Sequence, residues 1–91
     1  MFNCYRKDGK TIFYIETFDS QTGKIIKQEV YEDDGKTLDY IEEYNPTTGN
    51  KIKTISYKPD NYIEEYNPKT GNKIKKTYYN PDGTVKEVKT F

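Results

Sequence analysis

The sequence predicts an all-β protein, a strongly twisted antiparallel meander of tandem β-hairpin repeats with seven or eight strands, forming a single-layer or partly curled sheet. Three observations support this prediction. Residues 40–53 return almost unchanged as residues 62–75, and a looser copy covers residues 14–27. Turn signals recur between runs rich in Ile, Tyr, Phe, Val and Thr, which favour strands. No segment shows the 3.6-residue periodicity of a helix.

Composition favours a thin sheet over a thick core. Apolar residues make up 32% of the chain, below the roughly 45–50% of ordinary globular proteins. Ten of them are tyrosines, and tryptophan is absent. A chain of 91 residues buries only about 60–65% of its unfolded surface. We therefore expect a single repeat domain over residues 1–91, with units of about 5–30, 31–56 and 57–78 and a partial unit over 79–91.

Each unit contains two strand-forming runs. The first run covers residues 11–18, 37–44 and 62–66, with a diverged copy at 84–91. The second run covers residues 2–5, 25–31, 51–57 and 73–79. The glycines Gly23, Gly49 and Gly71 mark repeat steps of 26 and 22 residues, so four residues are missing before the third unit.

Two kinds of turn separate the runs. One is Asn-Pro-x-Thr-Gly at 45–49 and 67–71, with Asp-Ser-Gln-Thr-Gly at 19–23. Proline fixes φ near −65° and glycine supplies a positive φ, so this turn predicts a four-residue hairpin loop that pairs Asn45 with Asn50. The other kind covers 8–9, 34–35, 58–61 and 80–83. Both kinds predict hairpins.

Counting back from the turns predicts the register. Tyr44 is expected opposite Lys51, and Tyr40 opposite Ile55. The same rule gives one Glu–Lys pair per unit: Glu16–Lys27, Glu42–Lys53 and Glu64–Lys75. Cross-strand pairs of this kind stabilise a sheet by about 0.2–1 kcal/mol each.

This register predicts two different faces. One is rich in tyrosine and collects Ile12, Tyr14, Phe18, Ile25, Tyr31, Leu38, Tyr40, Tyr44, Ile55, Tyr57, Tyr62, Tyr66 and Tyr79. The other carries a row of isoleucines and collects Cys4, Phe13, Ile15, Ile26, Val30, Ile41, Ile52, Ile63, Ile74, Tyr78 and Val88. Lysines and glutamates are interleaved on both.

The string Tyr-Ile-Glu-Glu-Tyr-Asn-Pro-x-Thr-Gly-Asn-Lys-Ile-Lys, with a following Tyr-x-Pro-Asp, resembles a short tandem β-hairpin repeat family of unknown function found in phytoplasma proteins. The resemblance covers nearly the whole chain and implies no activity. More distantly, residues 57–60 and 79–83 are similar to the turns of MORN-type and antitoxin-like repeats, although the Gly-x-Gly and Trp positions of MORN units are absent.

The residues that usually carry catalysis are missing or isolated. The chain has no histidine, and its single cysteine, Cys4, leaves no disulfide framework and no Cys-based zinc site. The pairs Glu42–Glu43 and Glu64–Glu65 are adjacent on strands and so point to opposite faces, unlike the two carboxylates of a glycosidase. We therefore expect no enzyme, no cofactor and no metal site.

Charge and hydropathy restrict the classes of partner that we expect. Fifteen basic and fifteen acidic residues cancel, so no overall field attracts nucleic acid or an anionic membrane. The lysine–tyrosine groups at 51–53 and 73–76 resemble platforms for single-stranded nucleic acid, but glutamates on the paired strands offset them, and no nucleic acid is expected. There is no apolar run long enough to span a membrane and no signal peptide. We expect a cytoplasmic or unknown localisation.

These observations predict a non-enzymatic repeat module for protein–protein interaction or structural scaffolding. Exposed tyrosine is a frequent contact residue at interfaces, and the candidate binding residues are Tyr14, Tyr40, Tyr44, Tyr57, Tyr62 and Tyr66. Two alternatives stay open: the rings bind carbohydrate or another ligand, or they simply cover the sheet. We also expect a protein partner or self-association, including a homodimer, through the tyrosine face or the edge strands.

Overall fold

A computed structural model describes residues 2–58 and 61–91 as one eight-stranded antiparallel sheet. The strands lie side by side in chain order, and the part of the chain that is described contains no helix. They are β1 (Phe2–Tyr5), β2 (Ile12–Phe18), β3 (Ile25–Tyr31), β4 (Leu38–Tyr44), β5 (Lys51–Ser56), β6 (Tyr62–Tyr66), β7 (Lys73–Tyr79) and β8 (Val85–Thr90). The predicted all-β meander is confirmed.

The sheet is a single layer with less than the usual twist. Each strand contacts only its neighbours in the sheet, and the molecule measures 40 × 35 × 15 Å. Eight strands with the usual twist of about 20–25° per strand would turn through roughly 150° between the edges, which is incompatible with a thickness of 15 Å. The expectation of a strongly twisted sheet was therefore wrong.

The predicted hairpin turns form. The amide of Asn45 donates to the carbonyl of Asn50 at 2.8 Å, and the amide of Gly49 donates to the carbonyl of Asn45 at 2.8 Å. The Asn45 side chain accepts hydrogen bonds from the amides of Thr47 and Thr48. Gly49 has a φ of 79°, a conformation that glycine adopts without steric cost. The turn predicted at 58–61 lies partly outside the described residues.

The register contains a β-bulge that straightforward counting does not predict. Tyr44 is opposite Lys51 as expected, but Lys53 is opposite Glu43, and Ile52 is the extra residue. The same shift follows the equivalent turns before β3 and β7. The predicted pairs Glu16–Lys27, Glu42–Lys53 and Glu64–Lys75 are therefore wrong, because each bulge inserts one unpaired residue after the turn.

Bulges also occur at the other end of the strands. The register shifts between Cys4 and Tyr5, between Val30 and Tyr31, and between Tyr78 and Tyr79. The pairing of β5 with β6 alone shows no shift. These two strands flank the turn from which four residues are missing.

Cross-strand partners share a face of a sheet, so the register defines two faces. The tyrosine face is centred on the row Cys4, Tyr14, Val30, Tyr40, Ser56, Tyr62, Tyr78 and Glu87. The isoleucine face is centred on the row Asn3, Ile15, Glu29, Ile41, Ile55, Ile63, Thr77 and Val88.

The bulges move several residues to the face opposite the predicted one. Cys4, Val30 and Tyr78 belong to the tyrosine face, and Ile55 belongs to the isoleucine face. Tyr31 also leaves the tyrosine face, since its hydroxyl lies 3.5 Å from the carboxylate of Glu29. The extra residues Ile26, Ile52 and Ile74 each precede a lysine of the isoleucine face and so lie on the tyrosine face. A one-residue slip has this effect because side chains alternate along a strand.

Burial is slight, as the composition predicts. Among the described residues only two apolar side chains are buried, Val30 and Ile41. The buried polar residues are Thr54, Ser56, Glu64 and Thr77. Buried residues occur on both faces of the sheet. Each has a short side chain or lies beside long side chains on neighbouring strands, so its burial comes from cross-strand neighbours within the single layer.

Candidate functional site

Five of the six candidate tyrosines share the tyrosine face. Tyr40 on β4 and Tyr62 on β6 both pair with Ser56 of β5, so their backbones are about 9.5 Å apart, two strand spacings. Tyr14 lies in the same row beyond Val30. The remaining two on this face are Tyr44 and Tyr66, each four residues further along its strand.

Tyr57 does not join this group. It follows the end of β5 and is 42% exposed. It lines a recess together with Ile55, Ile63 and Pro81. The prediction that Tyr57 lies on the tyrosine face was wrong, because the bulge at Ile52 moves Tyr57, like Ile55, to the isoleucine face.

A carboxylate, a phenol and an ammonium group form a cluster at the end of β4. The Tyr44 hydroxyl donates to Glu42 Oε1 at 3.0 Å, and Lys51 Nζ lies 2.6 Å from Glu42 Oε2. Burial and the hydrogen bond to Glu42 raise the pKa of Tyr44 to about 12. The hydrogen bond to Glu42 also raises the pKa of Lys51. The bulge moves Lys53 to the opposite face, so Lys51 is the lysine of β5 that remains beside Glu42.

The next repeat builds the same cluster with one more cation. Glu64 accepts a hydrogen bond from the Tyr66 hydroxyl at 3.0 Å, and its Oε2 lies 2.5 Å from Lys73 Nζ and 3.7 Å from Lys76 Nζ. Burial alone would raise the pKa of Glu64, but the hydrogen bonds from Lys73 and Tyr66 and the ammonium charges lower it overall. The first repeat has Phe18 where this one has Tyr66, so it lacks the phenol.

A groove of about 290 Å³ runs over β5 between Tyr40 and Tyr62. Its floor is Thr54 and Ser56, which are 7% and 5% exposed. The Ser56 hydroxyl donates to the carbonyl of Lys58 at 3.1 Å.

Thr54 Oγ1 in this floor is buried, and it makes no hydrogen bond with the described part of the chain. The Tyr66 hydroxyl lies near Thr54 Oγ1, but the two groups do not have the geometry of a hydrogen bond. A buried hydroxyl without a partner costs about 1–3 kcal/mol. A polar atom entering the groove would satisfy it.

Lysine side chains lie over the rings of this face. Lys76 Nζ is 4.2 Å from the ring centre of Tyr62 and 4.8 Å from that of Tyr78. Lys51 Nζ is 5.6 Å from the ring centre of Tyr66. Such contacts stabilise by about 0.5–1 kcal/mol when exposed. Since the same lysines bind Glu42 and Glu64, the rings, carboxylates and ammonium groups hold one another in place.

The described residues include no cluster of three or more His, Cys, Asp or Glu able to hold a metal ion. Cys4, on the edge strand β1, is a free thiol opposite Tyr14. In the ranges 2–58 and 61–91, no helix is long and apolar enough to cross a membrane.

Fold and site together define a class of protein: an open, single-layer sheet of tandem β-hairpins with one tyrosine-rich face. Residues 5–56 and 57–91 match, as two adjacent segments, the family described as "Protein of unknown function (DUF2963)". The chain belongs to that family. No curated protein and no solved structure matches it.

Proposed function

We propose that the chain is a non-enzymatic interaction module that binds another protein through its tyrosine face. One observation carries the proposal: five tyrosines share a single face, and within residues 2–58 and 61–91 no strand packs over it. Tyrosine is enriched among the residues that dominate binding energy at protein interfaces.

The side-chain network makes this face suitable for binding. Tyr44 and Tyr66 are each fixed by a hydrogen bond to a glutamate that a lysine also binds. A surface that is already ordered loses less side-chain entropy when a partner docks. The local charges largely cancel, which favours a protein partner over nucleic acid.

Position-specific photocrosslinking in cells that express the full chain tests this proposal. A photoreactive phenylalanine analogue is placed at Tyr62, on the face, or at Tyr57, an exposed tyrosine outside it. We expect Tyr62 to crosslink a discrete protein other than this chain, and Tyr57 to crosslink no such protein. Crosslinks to a different protein from Tyr57 alone would contradict the proposal.

Strand addition is a second way in which this module would hold a partner. All six residues of β8 are exposed, and its outer edge has no neighbour in the sheet. An unpaired edge offers backbone donors and acceptors to an incoming strand. A charged or proline substitution at Val88 would weaken this mode and leave the tyrosine face unchanged.

Carbohydrate binding is the second candidate function, and the groove over β5 favours it. Tyr40 and Tyr62 flank a floor in which Thr54 Oγ1 lacks a partner. The flanking aromatic rings offer apolar faces to a sugar ring, and the buried hydroxyl offers it a polar contact.

Saturation-transfer NMR with a panel of neutral mono- and oligosaccharides tests this candidate. We expect binding that weakens roughly two- to tenfold in Thr54→Val, since loss of one neutral hydrogen bond costs about 0.5–1.5 kcal/mol. Tyr57→Phe, outside the groove, is the matched control. No perturbation of the Tyr40 and Tyr62 rings by any sugar would reject carbohydrate binding.

A further inference from the structure

The isoleucine face carries a row of alternating charges beside its apolar row. Five residues form this charge ladder across strands β3 to β7, each opposite the next: Lys27, Glu43, Lys53, Glu65 and Lys75. Two residues further along the strands, Ile41, Ile55 and Ile63 lie side by side on β4, β5 and β6.

Most charges of the ladder are unpaired. Within residues 2–58 and 61–91, no ion pair within 4.0 Å involves Glu43, Lys53, Glu65 or Lys75. The glutamates of the opposite face are instead held by lysines at 2.5–2.6 Å. The ladder therefore keeps its charges available for a partner surface.

The shape of the sheet also fits a stacked partner. Flat sheets of many strands are unusual and are typically stabilised by stacking or by side-chain ladders. The face measures 40 × 35 Å, which exceeds the roughly 800 Å² that each partner buries in a standard interface.

We propose that the isoleucine face packs against the isoleucine face of a second copy of the chain, forming a two-fold β-sandwich. The axis runs parallel to the strands, midway between β4 and β5 at the centre of the sheet. It places β4 of one copy over β5 of the other, so Glu43 faces the partner's Lys53 and Ile41 faces the partner's Ile55. Lys27 on β3 then faces the partner's Glu65. Symmetry repeats each contact.

The alternation of charge selects this axis. An axis along β5 would place Lys53 over the partner's Lys53 and Glu43 over the partner's Glu65, so like charges would meet along the ladder. An axis between two strands brings opposite charges together, and aligned sheets pack about 10 Å apart. This surface is separate from the tyrosine face, which stays open in the dimer, so the inference does not depend on the proposed function.

Sedimentation equilibrium of the full chain, from micromolar to millimolar concentration, is the first test. We expect the mass to rise from monomer to dimer. Ile55→Lys places a charge in the apolar row and is expected to weaken the dimer at least about tenfold. Tyr40→Phe, on the other face, is expected to leave it unchanged. Circular dichroism establishes that each variant is folded.

Inverting the whole ladder is a second test that keeps the sheet intact. The variant carries Lys27→Glu, Glu43→Lys, Lys53→Glu, Glu65→Lys and Lys75→Glu, so charges still alternate within each copy. We expect it to dimerise with itself about as tightly as the wild type, because the same axis still brings opposite charges together. This test holds even where Ile55→Lys fails to fold.

Three results would overturn the inference. One is a monomer mass at every concentration. This result would overturn the inference even if the isoleucine face of the monomer captured a different protein. Another is the loss of self-association in the inverted variant. The third is a dimer that survives Ile55→Lys but is lost in Tyr62→Ala, which would place the interface on the tyrosine face.

Discussion

Glu64 shows how a single-layer sheet accommodates a buried charge. The residue is 8% exposed, yet it keeps two lysines and a tyrosine hydroxyl as partners. A buried carboxylate is tolerated only when it is paired and hydrogen-bonded. The long lysine side chains supply both the charge and the apolar cover.

Replacing this carboxylate is expected to be costly. Glu64→Gln removes one partner of charge-assisted hydrogen bonds and should lower the free energy of unfolding by about 1.5–3 kcal/mol. Glu42→Gln is the matched control and should cost less, since Glu42 is more exposed and has one lysine partner. Urea unfolding measures both. Equal losses, or a larger loss in Glu42→Gln, would contradict this explanation.

The raised pKa of the Tyr44 hydroxyl makes the fold less stable at alkaline pH. Its pKa is raised from 10.0 to about 12 by burial and by the carboxylate of Glu42. Because the ionised form is disfavoured in the folded state, the free energy of unfolding should fall as pH rises from about 10 towards 12. Tyr44→Phe removes this contribution.

Titration of tyrosinate absorbance measures the effect. We expect the tyrosines to ionise over a range of pH, with a component near pH 12 that is absent in Tyr44→Phe. Ionisation of all tyrosines in a single step near pH 10 would show that the Tyr44–Glu42 contact does not form in solution.

At the scale of secondary-structure elements, the turns join the strands and also contact one another. Neighbouring turns contact one another: Thr48 Oγ1 donates to the carbonyl of Pro68 at 2.8 Å, and Asn50 Nδ2 donates to the carbonyl of Lys69 at 3.1 Å. On the opposite side, Gly35 lies against Thr11. The turns therefore form packed edges along two sides of the sheet.

Two glycines in these turns allow the cost of backbone strain to be measured apart from the cost of steric crowding. Gly35 and Gly49 both have positive φ, 67° and 79°. A Cβ at Gly35 would lie 2.7 Å from Thr11 Cγ2 and 3.2 Å from the amide of Ile12, whereas one at Gly49 would meet nothing within 4 Å. Gly49→Ala should cost about 1–2 kcal/mol from strain alone.

Gly35→Ala should cost more than Gly49→Ala, because Thr11 and the backbone of Ile12 must also move. Thermal or urea unfolding of the two variants measures the difference. Equal destabilisation would mean that the turns containing Thr11 and Gly35 do not pack together.

The strands and turns could be predicted from sequence, but the bulges could not. Alternation and turn chemistry gave β3, β6 and β7 with their observed bounds. Ile52 resembles any other strand residue, so nothing in its type marks it as the extra one. The predicted faces therefore failed for Ile55 and Val30, which lie on strands that follow a bulge.

In the candidate site, the tyrosines could be predicted from the sequence, but the charged clusters beside them could not. Tyr14, Tyr40 and Tyr62 lie on first-run strands, where alternation alone fixes the face. The Glu–Tyr–Lys clusters were missed because the bulge moves Lys53 and Lys75, the predicted partners of the glutamates, to the other face and leaves Lys51 and Lys73 in their place. The available signal was the Glu-x-Tyr spacing, which places the two side chains on one face.

As a whole, the molecule is held together by nearest-neighbour strand contacts. Each strand touches only the next, and no described side chain is fully buried. Stability in such an array is approximately a sum of local terms. The terminal strands each have one neighbour, so they should be the first to open.

Native-state hydrogen exchange measures this order. We expect the amides of β1 and β8 to exchange first and those of β4 and β5 last, with β8 fastest because all six of its residues are exposed. Protection that is uniform across the eight strands would indicate a single cooperative unit and would contradict the nearest-neighbour description.

The bulged register underlies both faces, and interstrand nuclear Overhauser effects in the folded chain test it most directly. The structure predicts backbone contacts that pair Glu42 with Thr54 and Glu43 with Lys53. Contacts pairing Glu42 with Lys53 would show that the bulge at Ile52 is absent. In that case Ile55 would move to the tyrosine face, and neither the Glu–Tyr–Lys clusters nor the charge ladder would exist as described.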